Sequence, residues 1–257
     1  MKFFNYKQLA AISSVTMTIF LSGCASVPTH PIAQQIDQEM VLVEGGTFTM
    51  GSNDPEATKA ERPARNITVD SFYIAKFEVT QELFESVMGS SLSYFQNPQV
   101  PVNNLSWQQA NYFVEQLNEL TGEEYRLPTE AEWEFAAKGG NKSKGYTYSG
   151  SNNLDDVAWY SANSKNSAHP VGLKKPNELG LYDMTGNVGE FVIDAFDIGY
   201  ARRDAGRDDD MVKAFVFQHR GIGSCRKPQI DMMHFDHPVI VADGLVKFLF
   251  SGDGFGK

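Results

Sequence analysis

Cysteine is almost absent from this chain: two thiols in 257 residues. The first of them is assigned below to another use, so no intramolecular disulfide is expected. Basic residues are also scarce, 22 against 32 acids, for a net charge of −10. That shortage argues against a nucleic-acid partner and against unaided binding to anionic lipid. No apolar run reaches the ~20 residues that a bilayer-spanning helix needs. Internal repeats and low-complexity tracts are missing, and no Ser-His-Asp pattern, phosphate loop or dinucleotide fingerprint stands out. What the chain does have is apolar and aromatic side chain, 42 % and 12 %. That is enough for one large domain with a substantial core.

The amino terminus has its own pattern. Lys2 and Lys7 precede a mostly apolar run from Leu9 to Leu21, suited in length to the h-region of an export signal. Leu21-Ser22-Gly23-Cys24 then resembles the lipobox of bacterial lipoproteins. The resemblance implies that residues 1–23 are removed and that Cys24 becomes the first mature residue, carrying two or three acyl chains. Several chains anchor a protein firmly where one binds only marginally. The cut takes away two lysines and no acid, so the net charge moves from −10 to −12. Ala25 follows Cys24 with no aspartate, which for a Gram-negative host implies the outer membrane under that family's sorting rule. The expected location is the bacterial cell envelope, with the membrane as one partner through the lipid.

Beyond the anchor, residues 25–39 hold Ser26, Pro28, Thr29 and Pro31 with little apolar periodicity, and read with Cys24 as a tether over 24–39. The domain is expected over 40–257. Met40 to Val43 and Thr47 to Met50 read as short strands around a Glu44-Gly45-Gly46 turn, and Asn66 to Ile74 as one further strand. Three helices carry start signals: Thr80 ahead of Leu83, Phe84, Val87 and Met88; Ser106 with Gln109; and Thr129 with Glu132. Arg126 is placed to pair with Glu130, Glu132 or Glu134 across the last helix start. Trp107, Trp133 and Trp159 are expected in the core. After Gly140 the chain is rich in Asn, Ser, Gly and Tyr, with no long helix expected. The reading is α+β with much ordered loop, and so much loop calls for local staples such as bound ions.

Several blocks follow in a recognisable order. They are Val43-Glu44-Gly45-Gly46-Thr47-Phe48-Thr49-Met50-Gly51, Phe77-Glu78-Val79-Thr80, Leu105-Ser106-Trp107, Tyr125-Arg126-Leu127-Pro128-Thr129-Glu130-Ala131-Glu132-Trp133, His169-Pro170-Val171-Gly172, and Pro176-Asn177-Glu178-Leu179-Gly180-Leu181-Tyr182-Asp183-Met184-Thr185-Gly186-Asn187-Val188. They resemble the sulfatase-modifying-factor, or formylglycine-generating enzyme, family. The resemblance implies a loop-rich variant of the C-type lectin fold. It also implies a calcium-binding loop at Gly186-Asn187-Val188-Gly189-Glu190, with Asn187 and Glu190 among the oxygen ligands of a structural ion. Gly189 and Phe191 stand where the family usually has tryptophans.

The carboxy-terminal third departs further. The family's catalytic branch holds Cu(I) between two nearby cysteines there and oxidises a substrate cysteine to formylglycine. In this chain Cys225 is the only thiol of the region. A lone thiolate cannot make the two-sulfur site that Cu(I) prefers, so copper is not expected. The usual Gly-Phe-Arg ending reads Gly254-Phe255-Gly256. His234-Phe235-Asp236-His237 is a weak metal pattern on its own. The leading expectation is a non-catalytic binding or assembly module, with an unknown envelope protein or ligand as partner and no nucleic acid. The alternatives are a cysteine-oxidising enzyme, in which Cys225 would be catalytic, and a diversified ligand binder on the lectin fold. Lipidation is directly testable. In a bacterial host the wild type should incorporate labelled palmitate and partition with membranes, and Cys24→Ala should do neither; equal labelling of the two would refute the anchor.

Overall fold

The computed structural model describes residues 30–55, 57, 61–93 and 96–195, with the backbone of residues 213–216, 243–244 and 249–250. Cys24, Cys225, His234 and His237 lie outside the described residues. Five helices appear among them: α1 (Pro31–Glu39), α2 (Gln81–Met88), α3 (Trp107–Thr121), α4 (Glu130–Ala137) and the single turn α5 (Leu154–Val157). The strands are β1 (Met40–Val43), β2 (Gly46–Met50), β3 (Arg65–Val69), β4 (Phe72–Ala75), β5 (Tyr125–Arg126), β6 (Gly189–Ala195), β7 (Lys213–Val216), β8 (Asp243–Gly244) and β9 (Leu249–Phe250). One sheet runs β1-β4-β9-β5, a second is the pair β2-β3, and a third runs β7-β6-β8. The α+β expectation holds.

The first correction concerns the tether. Residues 31–39 form α1, whose Ala33 and Ile36 are 0 % and 3 % exposed, with Ile36 in the main core cluster. Pro31 sits at the first helical position, where its missing N–H costs nothing. His30 closes the helix start by accepting the Ile32 N–H at 3.2 Å. The prolines that suggested a linker therefore include a helix initiator, and folded structure begins about ten residues earlier than the sequence pattern indicates.

The second correction divides the expected strand over 66–74. Its alternation continues across Asp70-Ser71, yet β3 pairs with β2 while β4 pairs with β1, in separate sheets. The opposing chain makes its own break at Glu44-Gly45. The Gly45 N–H donates to the Ser71 hydroxyl at 3.0 Å, and a Cβ on Gly45 would lie 2.5 Å from the Val69 carbonyl oxygen. Only glycine admits so close a crossing.

The three expected helix starts are present with their caps. Ser106 with Gln109 and Thr129 with Glu132 form complete capping boxes, and Thr80 accepts the Leu83 N–H. The helices are buried by aromatic side chains: Phe84 of α2 stacks on Phe113 of α3 with centroids 5.1 Å apart, and Phe135 of α4 meets Phe48 of β2 at 5.2 Å. Trp133 is buried, while Trp107 and Trp159 are half-buried.

Of the three glutamates at the start of α4, Glu132 takes Arg126. Its two oxygens accept from the guanidinium at 2.7 and 2.9 Å. Burial by itself would raise the Glu132 carboxyl, but the bonds from Arg126 and Thr129 outweigh it and hold the group below its ordinary value. Glu134 instead accepts from Lys138 at 2.6 Å and from the Gly51 N–H at 2.9 Å, tying α4 to the end of β2.

The α1 correction has a measurable consequence. Ile36→Ala should lower unfolding free energy by ~2–4 kcal/mol, the usual cost of truncating a buried isoleucine. Removing residues 25–39 should abolish cooperative urea unfolding. A truncated domain as stable as the parent would restore the tether reading.

Candidate functional site

The polar centre of the described region is the loop 186–190 and the segments that clasp it. Gly186 has φ 87°, and a Cβ there would lie 2.3 Å from the Trp159 carbonyl oxygen. Asn187 follows with φ 63°, a left-handed conformation that asparagine tolerates better than most residues. This pair of turns points the Asn187 N–H at the Trp159 carbonyl, 2.8 Å away.

The side chain of Asn187 joins two distant parts of the chain. Its Oδ1 accepts the His169 backbone N–H at 2.9 Å, and its Nδ2 donates to Glu78 Oε2 at 2.7 Å and to the His169 carbonyl at 3.2 Å. The other Glu78 oxygen accepts the Val188 N–H at 3.2 Å. Glu78 is 1 % exposed, so its carboxylate is a buried acceptor serving a loop more than 100 residues away. Sequence reasoning missed it as a site residue. The available signal was a glutamate inside the apolar Phe77-Glu78-Val79 run, a place where a carboxylate requires internal donors.

Around this clasp the same device recurs. Asn177 accepts the Leu179 and Leu181 N–H groups and donates to the Ala136 carbonyl and the Ser149 hydroxyl. Asp183, 2 % exposed, accepts the Gly172 N–H at 2.8 Å. His169 stacks on Trp159 at 3.9 Å between centroids, and the Lys174 ammonium lies 4.1 Å from the same indole centre. Groups that close to one centroid occupy opposite faces, so the indole is covered on both sides. Glu190, at the start of β6, accepts a hydrogen bond from the buried Trp133 indole N–H.

These contacts bear on the expected calcium loop. Among the described residues no group of three or more His, Cys, Asp or Glu side chains converges as a metal site. Asn187 is already engaged by protein groups, its oxygen with the His169 N–H and its nitrogen with the Glu78 carboxylate. The loop is held shut by hydrogen bonds at that residue. Of the expected site residues, Asn187 and Glu190 therefore engage different partners, and Cys225 lies outside the described residues.

Sequence and structure comparisons agree with this architecture. The model of the sulfatase-modifying factor enzyme 1-like domain matches residues 27–221. The chaperone protein LppX of Paenibacillus barcinonensis is 35 % identical, over 66 % of this chain and 75 % of that protein. The formylglycine-generating enzyme of Mus musculus is 26 % identical over 61 % of this chain, which spans 58 % of the mouse protein. The solved structure of Treponema denticola variable protein 1 superposes with a TM-score of 0.56 at 30 % identity, covering 62 % of this chain and 73 % of that one. The fold is the formylglycine-generating-enzyme-like form of the C-type lectin fold.

Asn187→Asp separates a clasp from an ion site. It sets a second carboxylate against Glu78, so at neutral pH the melting temperature should fall whether or not calcium is added, and recover as acid protonates the pair. A calcium site would respond the other way, gaining affinity from the added charge. Full rescue of the variant by calcium would show that an ion closes the loop.

Proposed function

This chain belongs to the sulfatase-modifying factor enzyme 1-like family, and within it we propose a non-catalytic accessory lipoprotein of the bacterial cell envelope. Cys24 carries the lipid, and the domain binds or helps to assemble an envelope partner. In a Gram-negative host the anchor lies in the outer membrane. No helix among the described residues is long and apolar enough to cross a membrane.

The thiol count carries the reading. Cysteine oxidation by the route this family's catalytic branch uses needs copper between two protein thiolates, with the substrate thiol as a third ligand. The mature chain has Cys24, taken by lipid, and Cys225 alone. The family match itself ends at residue 221, before Cys225. The 35 % identity to a protein named a chaperone supports an accessory role over an oxidase.

The test uses the purified mature domain. Loaded with Cu(I) and incubated in air with a peptide carrying a Cys-x-Pro-x-Arg segment, it should yield no aldehyde by mass spectrometry and should not hold copper tightly at one equivalent. Aldehyde formation that disappears in Cys225→Ser would establish the enzyme instead.

A further inference from the structure

The segment from Lys138 to Lys175 reverses the charge of the chain. It holds six lysines, Lys138, Lys142, Lys144, Lys165, Lys174 and Lys175, against two acids, Asp155 and Asp156, within a protein of net charge −10. Both acids are engaged by neighbouring side chains. Asp155 Oδ1 accepts from the Tyr160 hydroxyl at 2.8 Å and from Asn163 at 3.3 Å. Asp156 accepts from Lys175 at 3.0 Å and from Asn153 and Ser151. The remaining lysines are not neutralised by them. Lys138 pairs with Glu134, but Lys142, Lys144, Lys165 and Lys174 form no ion pair among the described residues.

The fold brings the segments that carry Lys144, Lys174 and Lys175 side by side. The Lys144 N–H donates to Glu178, and Gly150 packs against Pro176 and Asn177, so the loop 143–151 lies along the strip that follows Lys175. The Lys175 N–H donates to the Asp156 carbonyl, and the Lys174 ammonium donates to the Asp155 carbonyl at 2.7 Å. Tyr146, Tyr148 and Tyr160 on these segments are half-buried, the Lys144 ammonium lies 5.9 Å from the Tyr146 ring centre, and Leu173, next to Lys174 in the chain, is 61 % exposed. The loops are held before any partner arrives: Thr147 bonds Asn152, and Tyr148 pairs with Ser151. Rigid tyrosines with Ser, Asn and Gly in ordered loops are the composition of protein-recognition surfaces.

We propose that this lysine and tyrosine face docks an acidic polypeptide segment of a partner protein. The proposal rests on the binding-module reading and adds the chemistry of the partner. A predominantly acidic protein repels such a segment elsewhere, and its field steers the segment toward this basic surface. A lipid surface is disfavoured because insertion needs a broad apolar face, and a single exposed leucine does not provide one.

The probe is a fluorescein-labelled peptide of repeating Asp-Glu-Tyr, added to the mature domain at physiological ionic strength and followed by anisotropy. Wild type should bind it, weakening as salt rises, and should ignore the same peptide with lysine in place of the acids. Lys142→Glu/Lys144→Glu changes exposed side chains only, so its melting temperature should match the parent, while affinity falls by ~10-fold or more. Glu115→Lys/Glu119→Lys on the exposed side of α3 should leave affinity unchanged. The proposal fails if the peptide does not bind, if the double lysine variant binds equally well, or if the α3 variant gains as much as the lysine variant loses. It also fails if only phosphatidylglycerol vesicles bind. None of these results alters the copper and aldehyde measurements, so the face can fail while the non-catalytic reading stands.

Discussion

The carboxylate of Glu78 is the interaction on which the second half of the domain depends. It is buried, and it takes the amide of Asn187 and the backbone N–H of Val188. Every loop residue brings a backbone donor and acceptor that must be satisfied once water is excluded. Helices and strands do this internally; the stretch from 138 to 188 has only a 3-10 turn at Gly140–Lys142 and the single turn α5. Buried Glu78, Asn177 and Asp183, with half-buried Asn187, supply the missing partners from their side chains. A buried charge held by good donors is costly to disturb, since losing one donor leaves the rest uncompensated. The loops are thereby as specified as a sheet is by its ladder.

Legibility in the sequence followed the range of the interaction. The caps at Thr80, Ser106 and Thr129 act within three residues, and each helix began where its cap stood. The motif blocks imply a family and its fold, and the family match and the structural likeness agree with both. α1 was missed because it is short and polar, with only Ala33 and Ile36 carrying its burial. The break at Asp70-Ser71 was missed because alternation persists through it, and only pairing with β1 and β2 reveals the change of sheet. Glu78 was quoted within a motif, but its partners come from the far end of the domain, and no local pattern announces them.

The same distinction separates scaffold from function. Motif blocks that fix a fold leave the chemistry open. The blocks here place asparagines and carboxylates in structural clasps. The proposed role draws on other features: a lipobox cysteine, a solitary thiol in the last third, and loops in which Lys142, Lys144, Lys165 and Lys174 form no ion pair among the described residues. An α1 that packs into the core brings the folded domain to His30, a few residues from the proposed lipid. At no more than ~3.6 Å per residue of extended chain, the domain would sit close to the membrane surface, within reach of partners held there.

The central physical claim is that buried side chains hold the loops as firmly as hydrogen-bonded ladders hold the sheet. Native-state hydrogen exchange measures this residue by residue. The amides of Gly172, Leu181 and Val188 each donate to a buried side chain, and that of His169 to half-buried Asn187. They should exchange only through global unfolding, as slowly as the slowest amides of β1 and β4. Exchange of these four at the rate of an open loop, while the strands stay protected, would contradict the account.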